Sequence, residues 1–421
     1  MRWWWSRKGF LDLSTFSLPE KGELFQLLLL LGALFLALWR VEKENRFLWF
    51  EEEDVLVQVV VLSPPYEVDF GLRATVKVTG GELPELYGRR AVLTLYGTKD
   101  VPSKGFSLRA KVRAEERSFF ISGSYRDIQE VGLYQTGVRE LYIRRVEQRL
   151  EDQEIKALTL SYLFGESQET LPQDMQYYFL KTGLVHLLVI SGFHVAMVFF
   201  VLRYLMPYPY GPLLGVIGVS LYVLLLVPQE PPVLRAWLML LLWVLVRLQQ
   251  GVPNTLNILL LSASVLLFFR PEFVHSYSFW LSFFATLYIL LGLRLLPEGN
   301  SALYRYLLQP LGVSFFAFLG VSPLLLSFTH TSMGSVIFSP LVGYMFFPFT
   351  VYGILQILTF FSLPSFPLEL LGKLILKTVS LLSVFDLSVE LPLSTQFAYG
   401  SNVVLAVGMY IFGKVREKDK V

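Results

Sequence analysis

Residues 183–198, GLVHLLVISGFHVAMV, place polar side chains inside a segment that is otherwise apolar enough for a membrane interior. The run is interrupted by His186, Ser191, Gly192 and His194. Polar groups at membrane depth are costly unless they face protein or water, so we expect these residues to face inward and to line a functional path. Gly192 permits either local unwinding or close helix approach. The alternative is structural: both histidines donate to backbone carbonyls, and Ser191 bonds back to its own helix.

The composition of the chain excludes several classes of protein. Of 421 residues, 54% are hydrophobic and 17% are charged, and the mean hydropathy is +0.52, which is too apolar for an ordinary soluble domain. Thirty-six Lys and Arg against 34 Asp and Glu leave a formal charge of +2, which excludes nucleic-acid binding through overall charge. The absence of cysteine from the sequence excludes disulfides and thiolate metal sites.

Apolar runs of the size of membrane spans recur along the chain. They fall at residues 24–39, 184–206, 211–227, 233–248, 254–269, 275–293, 312–328, 333–363 and 397–413. The 333–363 run is long enough for two re-entrant pieces or for one span kinked at Pro340 or Pro348. The number of crossings therefore stays open, but the pattern predicts a polytopic α-helical membrane protein.

Basic residues at the two ends of the chain predict its orientation. Arg2, Arg7, Lys8 and Lys21 precede the first apolar run, and the tail 414–421 follows the last one. By the positive-inside rule both termini lie in the cytoplasm, which requires an even number of crossings. The first run is not followed by a small-residue cleavage site, so it is expected to stay as an anchor rather than to be removed as a signal peptide.

The region after the first apolar run changes to a pattern typical of strands. Alternating runs lie at 55–62, 74–80, 91–97 and 107–114, between Gly and Pro. They predict a small extracytoplasmic β domain with an OB-like barrel, although a small sandwich fits the same pattern. Between Leu86 and Arg113, seven Lys or Arg residues stand against one Asp. We predict DNA binding there, or else a solvated sheet face, with the candidates Arg89, Arg90, Lys104, Arg109, Lys111 and Arg113.

Charges spread around an apolar stripe predict amphipathic helices between the β domain and the membrane region. The chain is thus divided into a cytoplasmic N-terminus with the first transmembrane helix (1–39), the extracytoplasmic OB-like β domain (40–135), an amphipathic helical linker (136–182), the polytopic membrane domain (183–413) and a basic cytoplasmic tail (414–421).

The stretch at residues 183–198 resembles the motif HLLAISGLHVGL of the ComEC/Rec2 competence family. The matching positions are His186, Leu187, Leu188, Ile190, Ser191, Gly192, His194 and Val195, with mild departures at Val189, Phe193 and Ala196. The resemblance implies a protein of the bacterial inner membrane that forms the channel for incoming single-stranded DNA during natural transformation. It also implies a cytoplasmic helicase-like ATPase and an extracytoplasmic DNA receptor as partners, and a homodimer is plausible.

Further segments resemble the same family. They are ALTLSYLFGES (157–167), VLRAWLM (233–239), PNTLNILLLSASVLLFFRPEFV (253–274) and SFWLSFFA (278–285). In the last segment Trp280 replaces the family's usual Gln, and a family Asn further on appears here as Ser339. The metallo-β-lactamase-like domain of longer members is not found in the sequence.

Nothing in the sequence carries a nuclease motif. The four histidines, His186, His194, His275 and His330, lie in apolar surroundings without the carboxylates that a two-metal site needs. We therefore expect a translocator that is not an enzyme and that has no cofactor and no metal, while a metal at His186 and His194 stays an open alternative. The absence of a GxxxxGK[ST] sequence means that the energy for transport must come from a partner.

A buried path for DNA also needs a cation, and Arg235 is the predicted one, because a guanidinium fork suits phosphate oxygens. Its alternative is to extend to the lipid headgroups. Two other functions stay open. One is an intramembrane serine hydrolase that uses Ser191 with His194 or His186, although a spacing of three residues on one helix is poor geometry for it. The other is a transporter of small solutes or lipids.

Overall fold

The structure is a computed structural model of a mostly helical protein with a small N-terminal sheet. It describes residues 21–45, 53–61, 66–68, 71–81, 90–97, 106–115, 118–124, 128–131, 138–165, 171–205, 210–297, 299, 301–327, 331–385, 387–389 and 393–418.

The described residues form helices over each of the predicted apolar runs. The helices are α1 (Lys21–Asn45), α2 (Val138–Arg149), α3 (Gln153–Phe164), α4 (Gln173–Thr182), α5 (Val185–Leu188), α6 (Gly192–Leu205), α7 (Gly211–Leu225), α8 (Pro231–Leu248), α9 (Thr255–Phe269), α10 (Tyr277–Leu293), α11 (Gln309–Leu325), α12 (Gly334–Leu358), α13 (Phe366–Leu382) and α14 (Thr395–Lys418). A 3₁₀ turn, Pro271–His275, precedes α10, and a π turn, Tyr304–Leu308, leads into α11.

Two of the predicted apolar runs had more than one possible structure, and the helices decide between them. The 333–363 run forms one continuous helix, α12, with Pro340 and Pro348 inside it, so the alternative of two re-entrant pieces is wrong. The 184–206 run is not continuous: α5 ends at Leu188, and α6 begins at Gly192. Of the two possibilities open to Gly192, local unwinding therefore occurs just before it.

The helical region has the surface of a membrane protein. Among the described residues, Pro231–Leu248, Tyr304–Leu325 and Gly334–Leu358 are long and apolar enough to cross a membrane, and they are accompanied by the shorter apolar segments Phe25–Val41, Gly192–Leu205, Gly211–Leu225, Thr255–Phe269 and Tyr277–Leu293. Large apolar side chains face outward on several of these helices; Phe35 on α1 is 73% exposed and Val404 on α14 is 71% exposed. Exposed apolar surface on this scale is typical of a membrane or protein interface.

The sheet contains the four predicted alternating runs and further short strands. Its strands are β1 (Glu53–Val61), β2 (Tyr66–Val68), β3 (Gly71–Gly81), β4 (Arg90–Tyr96), β5 (Phe106–Glu115), β6 (Ser118–Ser124) and β7 (Ile128–Val131). β1 pairs antiparallel with both β3 and β5, so the order β1-β3-β4-β6-β5 closes on itself. β4 and β6 run parallel, whereas the other pairs are antiparallel. A separate two-stranded pair, β8 (Thr331–Ser332) and β9 (Ser388–Val389), lies in the helical region.

Strand β5 shows how the closed sheet separates its two faces. Leu108 and Val112 are buried in an apolar core that is separate from that of the helices. Arg109, Lys111 and Arg113 alternate with them and are exposed. Because successive side chains of a strand point to opposite faces, the alternation sends a basic row outward.

The linker helices pack on the helical region through α12 and α13. Tyr142 on α2 donates a hydrogen bond to the Ile357 carbonyl oxygen on α12, at 3.1 Å. Asp152 caps α3, since its side chain accepts from the backbone N–H groups of Glu154 and Ile155. The same carboxylate forms an ion pair of 3.0 Å with Lys373 on α13.

Candidate functional site

The break between α5 and α6 shapes the site around Ser191. As the residue before α6, Ser191 accepts a hydrogen bond at Oγ from the Phe193 N–H, at 3.3 Å, and thereby caps the helix. Its backbone N–H donates to His194 Nδ1 at 3.0 Å, and its Oγ lies 3.2 Å from the same nitrogen. The expectation of poor geometry between Ser191 and His194 assumed a continuous helix, and the unwound turn corrects it.

These contacts determine the protonation of His194. Since a backbone N–H can only donate, Nδ1 must accept, so the imidazole is neutral with its proton on Nε2. His194 is 1% exposed, and Nε2 has no hydrogen-bond partner among the described residues. A buried donor without an acceptor costs about 1–3 kcal/mol. Such groups are rare in stable cores, so His194 is a candidate for a functional role.

Aromatic side chains enclose His194 on the α3 and α12 side. The Tyr162 ring centroid lies 4.2 Å from that of the imidazole, and Tyr162 stacks on Phe346 at 4.5 Å. The Tyr162 hydroxyl shares a hydrogen bond of 2.5 Å with Thr350 Oγ1. The packing of Tyr162 against the imidazole, supported by Phe346 and Thr350, fixes the orientation of the His194 ring.

Gly192 brings α6 against α8 at Arg235. A Cβ on Gly192 would lie 3.2 Å from Ala236 Cβ and 3.4 Å from Arg235 Nη2. Contacts of that length leave space for hydrogen but little for a methyl group. Gly192 therefore permits close helix approach as well as unwinding, and it lies beside the Arg235 guanidinium.

Arg235 does not extend to the headgroups. It is 8% exposed, and its Nη1 donates to the Ser282 carbonyl oxygen and to Thr286 Oγ1, both on α10. Its Nε is buried and has no partner among the described residues. The guanidinium thus links α8 to α10, while its Nε has no partner in the part of the chain that the structure describes.

His186 belongs to a second contact, with α12. Its Nδ1 lies 3.0 Å from the Gly183 carbonyl oxygen, and its Nε2 lies 3.3 Å from Ser339 Oγ. Gly183 ends α4 with φ of 72°, a left-handed conformation that favours glycine. The alternative in which both histidines donate to carbonyls therefore holds for His186 but not for His194.

The structure thus brings together Ser191, Gly192, His194 and Arg235, whereas His186 contacts a different helix. Sequence reasoning missed the α10 partners Ser282 and Thr286, although they lie in or beside the segment 278–285 that resembles the family. Trp280 of that segment donates from Nε1 to the Val274 carbonyl oxygen at 2.8 Å and faces Phe284, so it has a packing role.

The predicted basic residues of the β domain are only partly within the described residues. Arg109, Lys111 and Arg113 lie on one outward face of β5. Arg90 begins β4, and Arg89 and Lys104 lie outside the described residues. In the described part of the chain, no three His, Asp or Glu side chains come together as metal ligands; the expectation of no metal stays a prediction.

The fold and site define a helical membrane protein with buried polar groups at the junction of α6, α8 and α10. The profile of the competence protein family matches residues 162–416, which include all of these groups. The chain therefore belongs to the competence protein family of the ComEC/Rec2 type, as its motif predicts. This membership indicates a role in DNA uptake.

A relative is similar to this chain over most of its length. An uncharacterized protein of Aquifex aeolicus (strain VF5) is 36% identical over 344 residues, covering 81% of this chain and 82% of the relative. No solved structure matches the chain.

Proposed function

We propose that the helical region forms the channel through which single-stranded DNA enters the bacterial cytoplasm. The observation that carries the proposal is the pair of buried donors, Arg235 Nε and His194 Nε2, without acceptors among the described residues. Phosphate oxygens accept strongly from such donors. A polyanion cannot cross hydrocarbon unprotected, so a path that supplies these donors is what transport requires.

The donors are sealed in the structure as it stands, which is the closed arrangement expected between uptake events. His194 lies under Tyr162, and Arg235 is tied to α10. The contact at Gly192 lacks a side chain to interlock α6 with α8, so we propose that the two helices separate there to open the path. His186 and Ser191 then line the path beside the two donors.

We propose further that the N-terminal sheet is an OB-like barrel that receives the strand. The support is its topology: five strands close in the order β1-β3-β4-β6-β5, with one parallel pair between β4 and β6. The outward row Arg109, Lys111 and Arg113 suits phosphates, and Arg89, Arg90 and Lys104 extend the same basic stretch of sequence.

The setting of the protein follows from the same proposal. It spans the bacterial inner membrane several times, with both termini in the cytoplasm and the barrel outside. A cytoplasmic helicase-like ATPase pulls the strand, an extracytoplasmic receptor delivers it, and a homodimer is compatible with the fold. The chain itself acts as a translocator and not as an enzyme.

The test separates insertion of the protein from transport. Cells carry Arg235→Ala or His194→Ala as their only copy, and membrane insertion, surface-bound DNA and internalised strand are measured. We expect normal insertion and surface binding but a fall of about 100-fold in internalised strand, as for loss of a preorganised donor to a charged group. The matched control is Arg247→Ala on the same helix, whose guanidinium lies over Trp243. Unchanged uptake in both test variants refutes the site.

A second function, an intramembrane serine hydrolase, is favoured by one distance, the 3.2 Å between Ser191 Oγ and His194 Nδ1. It makes a different prediction. A serine-reactive phosphonate labels the wild type but not Ser191→Ala, and the alanine variant loses activity. In the channel function, Ser191→Ala weakens the cap of α6 and removes one hydroxyl from the lining of the path, and the wild type incorporates no label.

A further inference from the structure

A cleft of about 260 Å³ lies between α3, α4 and α13, away from the site described above. One wall carries Lys373 and Lys377, the cleft lysines, and the other carries Glu154 and Asp174, the cleft carboxylates; Met175 and Phe179 form part of its apolar lining. Its volume is just below the range of about 300–1,000 Å³ for drug-sized ligands, so it suits a small polar group.

The charges around this cleft are balanced but not fully paired. Lys373 forms an ion pair with Asp152, which stands outside the lining. Glu154 also interacts electrostatically with Lys373, and among the described residues Lys377 and Asp174 take part in no ion pair. The cleft therefore offers an unpaired cation on one wall and an unpaired anion, Asp174, beside Glu154 on the other, with apolar surface between them.

Helix α13 has three faces, an arrangement typical of a helix that lies in the membrane interface. Leu368 and Ile375 are buried against the protein, whereas Leu370, Leu374 and Leu381 are each more than half exposed. By helical spacing the cleft lysines lie between the exposed apolar face and the cleft. Lysines beside an outward apolar stripe are found where acyl chains meet headgroups.

We propose that the cleft binds the headgroup of a zwitterionic phospholipid that carries a primary ammonium, as in phosphatidylethanolamine. Lys377 donates to the phosphate, the cleft carboxylates accept from the ammonium, and the glycerol end lies over Tyr178 and Leu376, which are half-buried residues of the lining. A quaternary ammonium has no N–H to donate to the carboxylates. An anionic headgroup or a DNA phosphate chain leaves the carboxylates unpaired and repelled. This site does not depend on the proposed transport function.

The test uses the purified full chain in detergent, titrated with dioleoyl phosphatidylethanolamine, phosphatidylcholine and phosphatidylglycerol and observed by native mass spectrometry. We expect one phosphatidylethanolamine to bind about tenfold more tightly than either of the others, the difference of one or two charge-assisted hydrogen bonds. The double variant Glu154→Gln with Asp174→Asn keeps the shape of the walls and should lose that preference. Lys377→Ala should weaken binding of both zwitterionic lipids.

The control is Lys156→Ala, which removes the same charge from α3 at a position that does not line the cleft. It should bind as the wild type does. Equal binding of the three lipids, tighter binding of phosphatidylglycerol, or displacement of the lipid by a single-stranded oligonucleotide overturns the proposal. The proposal is also overturned if the variant Glu154→Gln with Asp174→Asn still prefers phosphatidylethanolamine, because amide side chains accept from an ammonium only weakly.

Discussion

Ser339 Oγ on α12 lies 3.3 Å from His186 Nε2 on α5. The contact attaches α5, the short helix before the unwound turn, to α12. Ser339 occupies the position at which the resemblance to the family expects Asn. Both side chains offer a donor and an acceptor, which is what a contact to an imidazole nitrogen needs. The same Oγ donates to the Ser335 carbonyl oxygen on its own helix, and we infer that the contact with Nε2 orients His186.

Exchanging Ser339 tests that role. Ser339→Asn should keep uptake within about twofold of the wild type, whereas Ser339→Ala should lower it about three- to tenfold, as for the net loss of one hydrogen bond. The measurement is the amount of internalised strand in cells with equal amounts of inserted protein. If the alanine variant matches the asparagine variant, Ser339 does not act through His186.

Gly192 should tolerate almost no enlargement. An added methyl group meets Ala236 and Arg235 at 3.2 and 3.4 Å, so Gly192→Ala should lower stability slightly. Gly192→Val should cost about 1–3 kcal/mol by overpacking and should abolish uptake. Thermal unfolding in detergent measures the loss of stability in both variants, and DNA internalisation measures the loss of uptake. Gly343→Ala on α12 is the matched control, because its Cβ meets nothing within 4 Å; equal effects at both positions would contradict close packing at Gly192.

The acceptors of Arg235 can be tested through Thr286. Thr286→Val keeps the shape of the side chain but removes the oxygen that accepts from Arg235 Nη1. A buried charged donor that loses an acceptor should cost about 1–3 kcal/mol, seen as a lower melting temperature. Thr286→Ser retains the hydroxyl and should stay close to the wild type. A valine variant as stable as the serine variant would show that the guanidinium finds another acceptor.

Much of the fold was predictable because the apolar and alternating patterns were strong. The run 397–413 became α14, and the run 107–114 became β5, since each has a long stretch of one period. Helix α13 was missed because Glu369, Lys373 and Lys377 interrupt its apolar positions, and the interfacial environment that suits such a pattern is invisible to a search for spans.

The site was predictable in its residue types but not in its contacts. Ser191, His194 and Arg235 stood out as polar residues in apolar segments. The hydrogen bonds from Arg235 to Ser282 and Thr286 join residues 47 and 51 positions apart, and such separations leave no local signal. The break before Gly192 was foreseen only as an option, because glycine permits both unwinding and close approach.

The basic row on β5 predicts a salt-dependent interaction with single-stranded DNA. In the full chain, replacing Arg109 and Arg113 by Gln should lower the slope of log K against log salt by about 1.4, because each phosphate that is no longer neutralised accounts for about 0.7. Fluorescence anisotropy with a labelled oligonucleotide across a salt series measures it. Arg149→Gln with Lys156→Gln removes two charges from the linker helices and should leave the slope unchanged. If the affinity of the wild type does not change with salt concentration, the proposed interface is contradicted.

The ion pair between Asp152 and Lys373 attaches the linker to α13, and we expect acid to weaken it. Burial alone would raise the pKa of Asp152, but the hydrogen bond from Lys373 and those from the backbone N–H groups of Ile155 and Glu154 hold it below its usual value of 3.8. A lowered folded-state pKa stabilises the fold above the unfolded-state pKa and ceases to do so as pH falls through the folded-state pKa. Thermal unfolding of Asp152→Asn, which keeps the cap, should therefore lose part of the acid dependence of the wild type below about pH 4. Asp152→Ala also loses the cap and should be less stable by about 0.5–2 kcal/mol even at neutral pH; identical curves for the two variants would mean that the cap contributes nothing.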